Sequence, residues 1–592
     1  MPNFYSDKAY NGTETIVVAM DIGTTQTAVS FAHFSPGTRT QGKMVARWPQ
    51  GNCNAMKIPS IISYQNGRVK ACGAEAVRDL EEHPQNVAYW FKLHLHPAAM
   101  ATSNSQRFEI PSLPMGVTIE RVYADFMRYL IDNTRQFFES TIPQGAEIWA
   151  RLRDTIVVVF ATPNGWDIRE QATLRTAAIR ASLVTEETAD QLVHFVTEAE
   201  ASVHYALANQ NGNWLKEKTV FAVIDCGGST VDTTIYRCAS TNPLVLKEAC
   251  PSKCVQAGGV FVDREVEKVL KTRLHGSPFN DPECIRSMIN SFENDVKPIY
   301  NGIMEDEVFR FGSVRDNDPS RGINKGKTTV SGEDLKRAFD AVINKIIENC
   351  FQPLTSNKVK YVILVGGFAE SPYMRNFLRK ILEPHGIQII LAGDSLMKAA
   401  AEGAIIGRIK QFVIARAVKA TFGGCVRECY DKRLHRERRH TVYLYPDGKQ
   451  RVDGAFHAWV TKGTILQGTF AHKLPYHLAW DAGSTSKNEL SSKLTTVEIE
   501  IFAWEGDGVP IWCKDETGNV LNGMRPVCIL NADLSALSGG LQITTGNRGK
   551  RFYRVDYNVC VYFGGTQLHA KLQWKEKGLP REGPVMVIPY IT

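Results

Sequence analysis

No stretch of the 592-residue chain stays apolar for the ~18 residues that a membrane helix requires, so no membrane insertion is expected. The opening MPNFYSDKAYNGTE has no basic start followed by an apolar stretch, which argues against a secretory signal and for a cytoplasmic chain. The Asn11-Gly12-Thr13 sequon is then inert. Thirteen cysteines are scattered without any CxxC pair, and the four-residue spacings Cys250/Cys254 and Cys425/Cys429 have no matching histidines. That excludes a zinc ribbon or a disulfide framework and predicts reduced, mostly buried thiols. G-x-x-x-x-G-K-[ST] and G-x-S-x-G are both missing, so neither a P-loop nor a nucleophile elbow is available. Charge of one sign is scarce too. The 69 basic and 62 acidic residues leave a net +7, too mild over this length to imply a nucleic-acid partner. The densest basic run, 432–440 (KRLHRERRH), reads as a solvated loop.

What is present is an ordinary globular composition, 43% hydrophobic and 22% charged, enough to bury a large core. After a polar, turn-rich segment 1–14, expected to be flexible, 15–20 (TIVVAM) reads as a buried strand. It runs into Asp21-Ile22-Gly23 and returns as 27–34 (TAVSFAHF). The pattern recurs in 219–224 (TVFAVI), the turn Asp225-Cys226-Gly227-Gly228, and the return strand 230–236 (TVDTTIY). A strand, an acidic turn and a hairpin that appear twice imply an internal duplication into two related α/β lobes. Helical spacing is visible at 119–139, 167–181, 261–274, 331–350, 371–382 and 398–411, with buried strands at 155–161 and 360–365. Asp167 is placed to cap its helix. Beyond about residue 420 the texture becomes short alternating segments (441–445, 494–502, 554–561, 567–574) between glycine, asparagine and aspartate clusters, the pattern of an antiparallel β-sandwich. Trp459, Trp480, Trp504, Trp512 and Trp574 fall there and read as core residues or as a binding face.

The two glycine turns carry the chemistry. Glycine lets backbone amides approach an anion without a Cβ in the way, and successive amides in a turn form an anion-binding concavity. Thr24, Thr25, Ser229 and Thr230 add hydroxyl donors. Asp21 and Asp225 would repel phosphate, so their sensible duty is to hold Mg²⁺ directly or through water, with Asp232 as a third member. A further pair, Gly366-Gly367, follows a buried strand and suits the flat adenosine end of a nucleotide.

These motifs carry a resemblance. DIGTT (21–25), DCGGSTVD (225–232) and VGGFAESPYMRNFL (365–378) resemble the phosphate-1, phosphate-2 and adenosine motifs of the actin-like ATPases, and specifically of the 70-kDa heat-shock chaperones. TEAEASVHYAL (197–207) is similar to the family's segment bearing a magnesium- and water-positioning glutamate, which falls on Glu198. QAGGVFVD (256–263) resembles the GGxxFD segment, placing Gly258 and Gly259 beside the nucleotide. FENDVKPIY (292–300) resembles the stretch that packs on adenosine, with Glu293 and Lys297 one residue off the usual spacing. YWFKLH (89–94), GVFVDR (259–264), 395–407 and VYFGGT (561–566) look like the divergent branch of heat-shock 70 kDa protein 12.

The resemblance implies two duplicated ribonuclease-H-like lobes forming an actin-like nucleotide-binding domain over 15–410, a linker at 411–424, and a β-rich partner-binding-like domain over 425–592. It implies ATP/ADP and Mg²⁺ as cofactors, catalysis by Glu198, Asp225 and Asp21, and phosphate contacts from Gly23, Thr24, Thr25, Gly227, Gly228, Ser229 and Thr230. A client or partner protein would meet the β-rich domain. The pattern also departs from the family. A lysine is expected near 73–79 (GAEAVRD), where none stands; Arg78 is one residue off and Lys92 belongs to another position. No helical lid is expected after the β-rich region. Three functions follow: slow ATP hydrolysis in a chaperone-like protein, a non-hydrolysing nucleotide-gated adaptor, or a small-molecule kinase using Asp167.

Overall fold

The computed structural model describes residues 8–51, 55–97, 100, 110–209, 214–303, 305–392, 399–467, 470–535, 537, 541–563, 569–576, 579–584 and 586–589. Residues 1–7 of the N-terminal segment, and 395–398 and 564–566 of the family-like stretches, lie outside them. The chain divides into two compact units, one of Met1–Trp166 with Thr173–Val413 and one of Asp167–Ala172 with Ile414–Thr592.

The first unit holds two sheets of the same design. In one, β1 (Thr15–Ile22), β2 (Gln26–Phe34) and β3 (Gly42–Met44) form an antiparallel meander, and β4 (Val157–Thr162) and β5 (Val193–Thr197) add in parallel beyond β1. In the other, β6 (Val220–Cys226), β7 (Val231–Thr241) and β8 (Leu244–Glu248) make the meander, and β9 (Tyr361–Val365) and β10 (Gln388–Leu391) the parallel flank. Both orders read third, second, first, fourth, fifth along the sheet.

Strand β1 explains why such strands read as continuous apolar runs. Side chains alternate faces along a strand, and both faces here are covered. Ile16, Val18, Met20 and Ile22 enter a core with Phe31, Phe126 and Val158. Val17 and Ala19 face the other way, onto Ala201, Ala404 and Ile405. These last three sit on the helices Glu198–Asn209 and Ala399–Lys410, which meet so closely that a Cβ on Gly403 would strike the Ala201 carbonyl. The second sheet has its own core, around Phe221, Val223, Ile235, Phe339 and Ile363.

Not all of the N-terminal segment is loose. Tyr10 exchanges backbone hydrogen bonds with Gly37 and Thr38, and Glu14 pairs with Arg151 and His33, so residues 10–14 are held rather than flexible. Segment 411–424, read as a linker, contains the strand Val413–Ala417 and the start of β11 (Thr421–Cys429).

The second unit contains two antiparallel sheets. One has β12 (Gln450–Val460), β11, β14 (Val497–Trp504) and β15 (Met524–Ala532) at its centre; the other pairs β13 (Phe470–Asp481), β16 (Arg551–Phe563), β17 (His569–Glu576) and β18 (Leu579–Pro584). Trp459, Ile501 and Val527 of the first share one buried cluster with Val555, Val559 and Leu572 of the second. The expected strand at 494–502 begins later, because Lys487–Thr495 is a helix closed by a Ser486–Glu489 capping box. Trp459 is buried, while Trp480, Trp504, Trp512 and Trp574 are half-buried. The basic run 432–440 is anchored rather than simply solvated: Arg438 is buried 3.7 Å over the Trp512 ring, and His435 is buried beside it.

Candidate functional site

The two hairpin turns face the same space. Gly23, Thr24 and Thr25 join β1 to β2, and Gly227–Thr230 join β6 to β7. Although 205 residues apart in sequence, Thr24 Oγ1 donates to Ser229 Oγ at 2.7 Å. A second donor reaches the same hydroxyl. Trp166 Nε1 donates to His96 Nδ1 at 2.9 Å, which leaves the proton on His96 Nε2, and that atom lies 2.9 Å from Ser229 Oγ. Burial pushes the His96 imidazole down to about 3, so the ring is neutral at pH 7. With both donors spent on Ser229 Oγ, the serine's own proton is left over for a ligand.

The second turn is braced from behind. Gly258, Gly259 and Val260, at the start of the helix Gly259–Arg273, donate their amides to the carbonyls of Ser229, Gly227 and Gly228. The turn's carbonyls are thereby taken, and the amides of Gly228 and Ser229 make no backbone hydrogen bond among the described residues. This orients donors toward the cavity, as an anion site requires. Gly258 sits so close that a Cβ there would lie 2.4 Å from the Gly228 carbonyl.

The ionic groups gather at one end. Asp225 is buried and accepts from Ser202 Oγ at 2.7 Å; burial, reinforced by Glu198, pushes its carboxyl up to about 7. Its partner across β7 is Asp232, also pushed up to about 7 by burial and then by Glu198. Glu198 opens its helix and is raised above the usual carboxylate range by burial, against the pull of Lys92. Lys92 Nζ lies 2.6 Å from Glu198 Oε1. Burial alone would lower its ammonium, yet Glu198 and Asp21 hold it above the ordinary lysine value. Lys57 pairs more loosely with Asp21, at 3.8 Å.

At the other end, Gly366 has φ +89°, and a Cβ there would lie 2.4 Å from the Cys226 carbonyl oxygen. Both facts demand glycine. Lys297 Nζ donates to both oxygens of buried Asp263 at 2.8 Å. Phe292–Val296 form a π-helical turn, which takes up an extra residue and coincides with the one-residue spacing difference at Glu293 and Lys297.

A cavity of about 440 Å³ is lined by Asp21, Gly23, Thr24, Thr25, Glu198, Asp225, Gly227, Gly228, Ser229, Thr230, Gly259, Glu293, Lys297, Gly366 and Gly367. Gly258 does not line it; it buttresses the turn from outside. Asp167 is also outside, its Oδ1 accepting from the Arg169 amide at the start of the helix Ile168–Arg180. One expectation is overturned. Lys92, read as belonging to another position, lines the cavity, whereas Arg78 is exposed and pairs with Glu82. Sequence reasoning also passed over Lys57, His96, Ser202 and Asp263. A lone lysine inside the aromatic run YWFKLH was the available signal, since a buried lysine demands a partner. Among the described residues no three or more His, Cys, Asp or Glu stand close enough to hold a metal ion directly.

Comparison with known proteins agrees with the motifs. No protein-family model matches the chain. It is 22% identical to heat shock 70 kDa protein 12B of Homo sapiens, over 69% of this chain and 71% of that protein. It is 20% identical to heat shock 70 kDa protein 12A of Mus musculus, over 94% and 89%, and 21% identical to the chaperone protein dnaK of Guillardia theta, over 69% and 62%. Long alignments to both 12-type proteins, together with the paired turns and the Gly366-Gly367 motif, make the chain similar to divergent 70-kDa heat-shock proteins of the heat-shock 70 kDa protein 12 kind.

Proposed function

We propose that the chain binds Mg-ATP in the cavity between the two hairpin turns and uses the bound nucleotide to control what its β-rich unit contacts, in the manner of a chaperone-like protein with slow turnover. The fold behind this reading is an actin-like pair of ribonuclease-H-like lobes over 15–410, followed by a β-sandwich over 425–592. The observation that carries it is the convergence of both turns, through Thr24 and Ser229, on one cavity that Gly366 and Gly367 also line.

The residues fit the nucleotide and its metal. Backbone amides and hydroxyls of the turns would take the phosphates, and Gly366-Gly367, Glu293 and Lys297 the adenosine. Buried carboxylates whose acidity burial has weakened favour a divalent cation beside them, because added positive charge stabilises their ionised form. With no direct ligand cluster among the described residues, Asp21 and Asp225 would hold the ion through its water shell. The metal supplies charge neutralisation on the phosphates; Glu198 accepts a proton from an attacking water. Catalysis of this kind is mainly positioning and electrostatics. In the β-rich unit, a separate cavity of about 760 Å³ lined by Arg427, Arg451, Tyr445, Tyr476, Glu498 and Lys514 supports a partner-binding role.

Calorimetry of the full chain tests this. One saturable Mg-ATP site is expected, weakened at least about tenfold by Asp225→Asn or by chelating the metal. Failure of ATP to bind with Mg²⁺ present overturns the reading. ATP binding with turnover at background would favour the adaptor, and ATP consumption that requires an added polyol would favour the kinase.

A further inference from the structure

The geometry points to a reversible disulfide between Cys425 and Cys513, a redox-controlled clasp that joins two walls of the cavity in the β-rich unit. It goes beyond the nucleotide reading and does not depend on it.

The two cysteines are far apart in sequence, and β12 brings them together. Cys425 of β11 is paired with Phe456, and Trp512 bridges the neighbouring Ala455. Phe456 donates its amide to the Ile511 carbonyl at 2.8 Å, and Cys513 donates its own to the Gly454 carbonyl at 2.9 Å. The Cys513 sulfur lies 3.5 Å from the Gly454 carbonyl oxygen and 3.7 Å from that of Ala455, so it leans over the β12 backbone. There it shares a buried cluster with Cys425, Phe456, Phe502 and Met524. The two thiols are hydrogen-bonded to each other. A bond between them therefore asks for side-chain rotation and no change of strand pairing.

The pair is asymmetric, as a reactive pair must be. The hydrogen bond from Cys513 holds the Cys425 thiol below the ordinary cysteine value; burial, Glu500 and Asp453 oppose it and Lys514 assists. The same bond, and then burial, push Cys513 up. Burial raises Cys72, Cys226, Cys350 and Cys528 as well. Cys425 also lines the cavity of about 760 Å³, whereas Cys513 is fully buried. A peroxide entering the cavity would meet Cys425 first. The Cys425 thiolate attacks one peroxide oxygen and the O–O bond breaks, leaving a sulfenic acid and a hydroxide that takes a proton to become water. Cys513 then gives up its proton and attacks the Cys425 sulfur. The S–S bond forms, the S–O bond breaks, and the departing hydroxide takes that proton as a second water. The two thiols lose two electrons and the peroxide gains them.

The bond would join parts of the unit that are now held separately. Arg438 stacks on Trp512 and donates to the Lys514 carbonyl, which docks 512–514. The next residues turn on Asp515, whose Oδ1 accepts from the Thr517 and Asn519 amides at 2.9 and 2.8 Å. Residues 514–518 line the cavity on this segment, and 424–427 line it on β11. Oxidation would fix the spacing of those two walls, whatever the cavity binds.

The test treats the folded full chain with hydrogen peroxide until exposed Cys429 is fully converted, then alkylates, digests with trypsin and analyses by mass spectrometry. Trypsin separates Cys425, in 420–427, from Cys429, in 428–432, and from Cys513, in 494–514. Peptides 420–427 and 494–514 should be found joined, and dithiothreitol should release them. Cys513→Ser, whose hydroxyl can use the Gly454 and Ala455 carbonyls, should stop at a Cys425 sulfenic acid that dimedone captures. Cys425→Ser should leave Cys513 reacting at least about tenfold more slowly than Cys425 does in the wild type. Amide hydrogen exchange over 514–520 should slow at least about tenfold on oxidation. Absence of the joined peptides from the wild type, or Cys425 joined to Cys429 instead, overturns the disulfide, and this measurement requires no variant to fold. A joined pair with unchanged exchange over 514–520 overturns the clasp.

Discussion

The two halves of the first unit share a strand order but not a chemistry. The half built on β1 to β5 contributes the ionic groups: Asp21, Lys57, Lys92 and Glu198. The half built on β6 to β10 contributes the carboxyls of Asp225, Glu293 and Glu370 but otherwise mostly backbone: the braced turn Gly227–Ser229, Gly259, and Gly366-Gly367, with Lys297 already neutralised by Asp263. Even their matching aspartates differ. Asp21 stands opposite Ala28 and has a lysine nearby, whereas Asp225 stands opposite Asp232 and is pushed up to about 7 by burial. A duplicated fold thus supplies two equivalent positions, and side chains divide the labour unevenly between them: the first half brings the two lysines nearest the carboxyls, the second most of the shape.

That division can be broken by experiment. If the second half works through shape, Gly366→Val should be the most damaging change. It forces a β-branched residue to positive φ against the Cys226 carbonyl, and should cost about 3 kcal/mol or more in urea unfolding. A variant of wild-type stability would break the comparison. If the first half works through charge, Glu198→Gln should leave the fold and ADP affinity intact while single-turnover hydrolysis falls about 100-fold. Loss of folding instead would make Glu198 a structural residue.

A third test concerns the link between halves. His96 has its folded-state value depressed to about 3, so the unfolded chain binds a proton below its ordinary value and the folded chain does not. Its stabilising contribution is therefore complete above about pH 6.5 and is lost as pH falls toward 3, at up to about 1.4 kcal/mol per pH unit. His96→Gln should flatten the fall of the melting temperature between pH 6.5 and 5; an unchanged slope would show that His96 does not carry it. The smallest effect is expected of Ser229→Gly. It removes the acceptor shared by Thr24 and His96, for about 1 kcal/mol of stability, and should leave nucleotide affinity within a few-fold. A large loss of affinity would mean that the hydroxyl, rather than the backbone, holds phosphate.

Much of this was legible in the residues, and the omissions have physical causes. The buried strands and paired turns announce themselves, because parallel strands covered on both faces must be apolar throughout and the turns need glycine. The set 21–25, 225–230 and 366–367 could be named before any geometry. Lys92 could not, because a lysine's task depends on what the fold brings beside it, and its partner Glu198 is 106 residues away. Asp263 was visible within a glycine-rich motif, but its grip on Lys297 depends on a π-turn that spacing alone does not reveal. In the β-rich unit the strands β12 and β13 went unread, and the helix Lys487–Thr495 was masked by surrounding alternation, although its Ser486/Glu489 capping box is plain once known.

Gly258 has a consequence for how such a site tolerates variation. It touches no ligand space, yet a Cβ there would collide with the Gly228 and Ser229 backbone. At Gly228, which lines the cavity, the first obstacle is the Thr25 side chain at 3.2 Å, a neighbour with some room to turn. In a saturation library scored for survival, the hidden glycine should therefore accept fewer replacements than the one facing the cavity. The strictest letter of the motif would mark the buttress of the site rather than its contact surface.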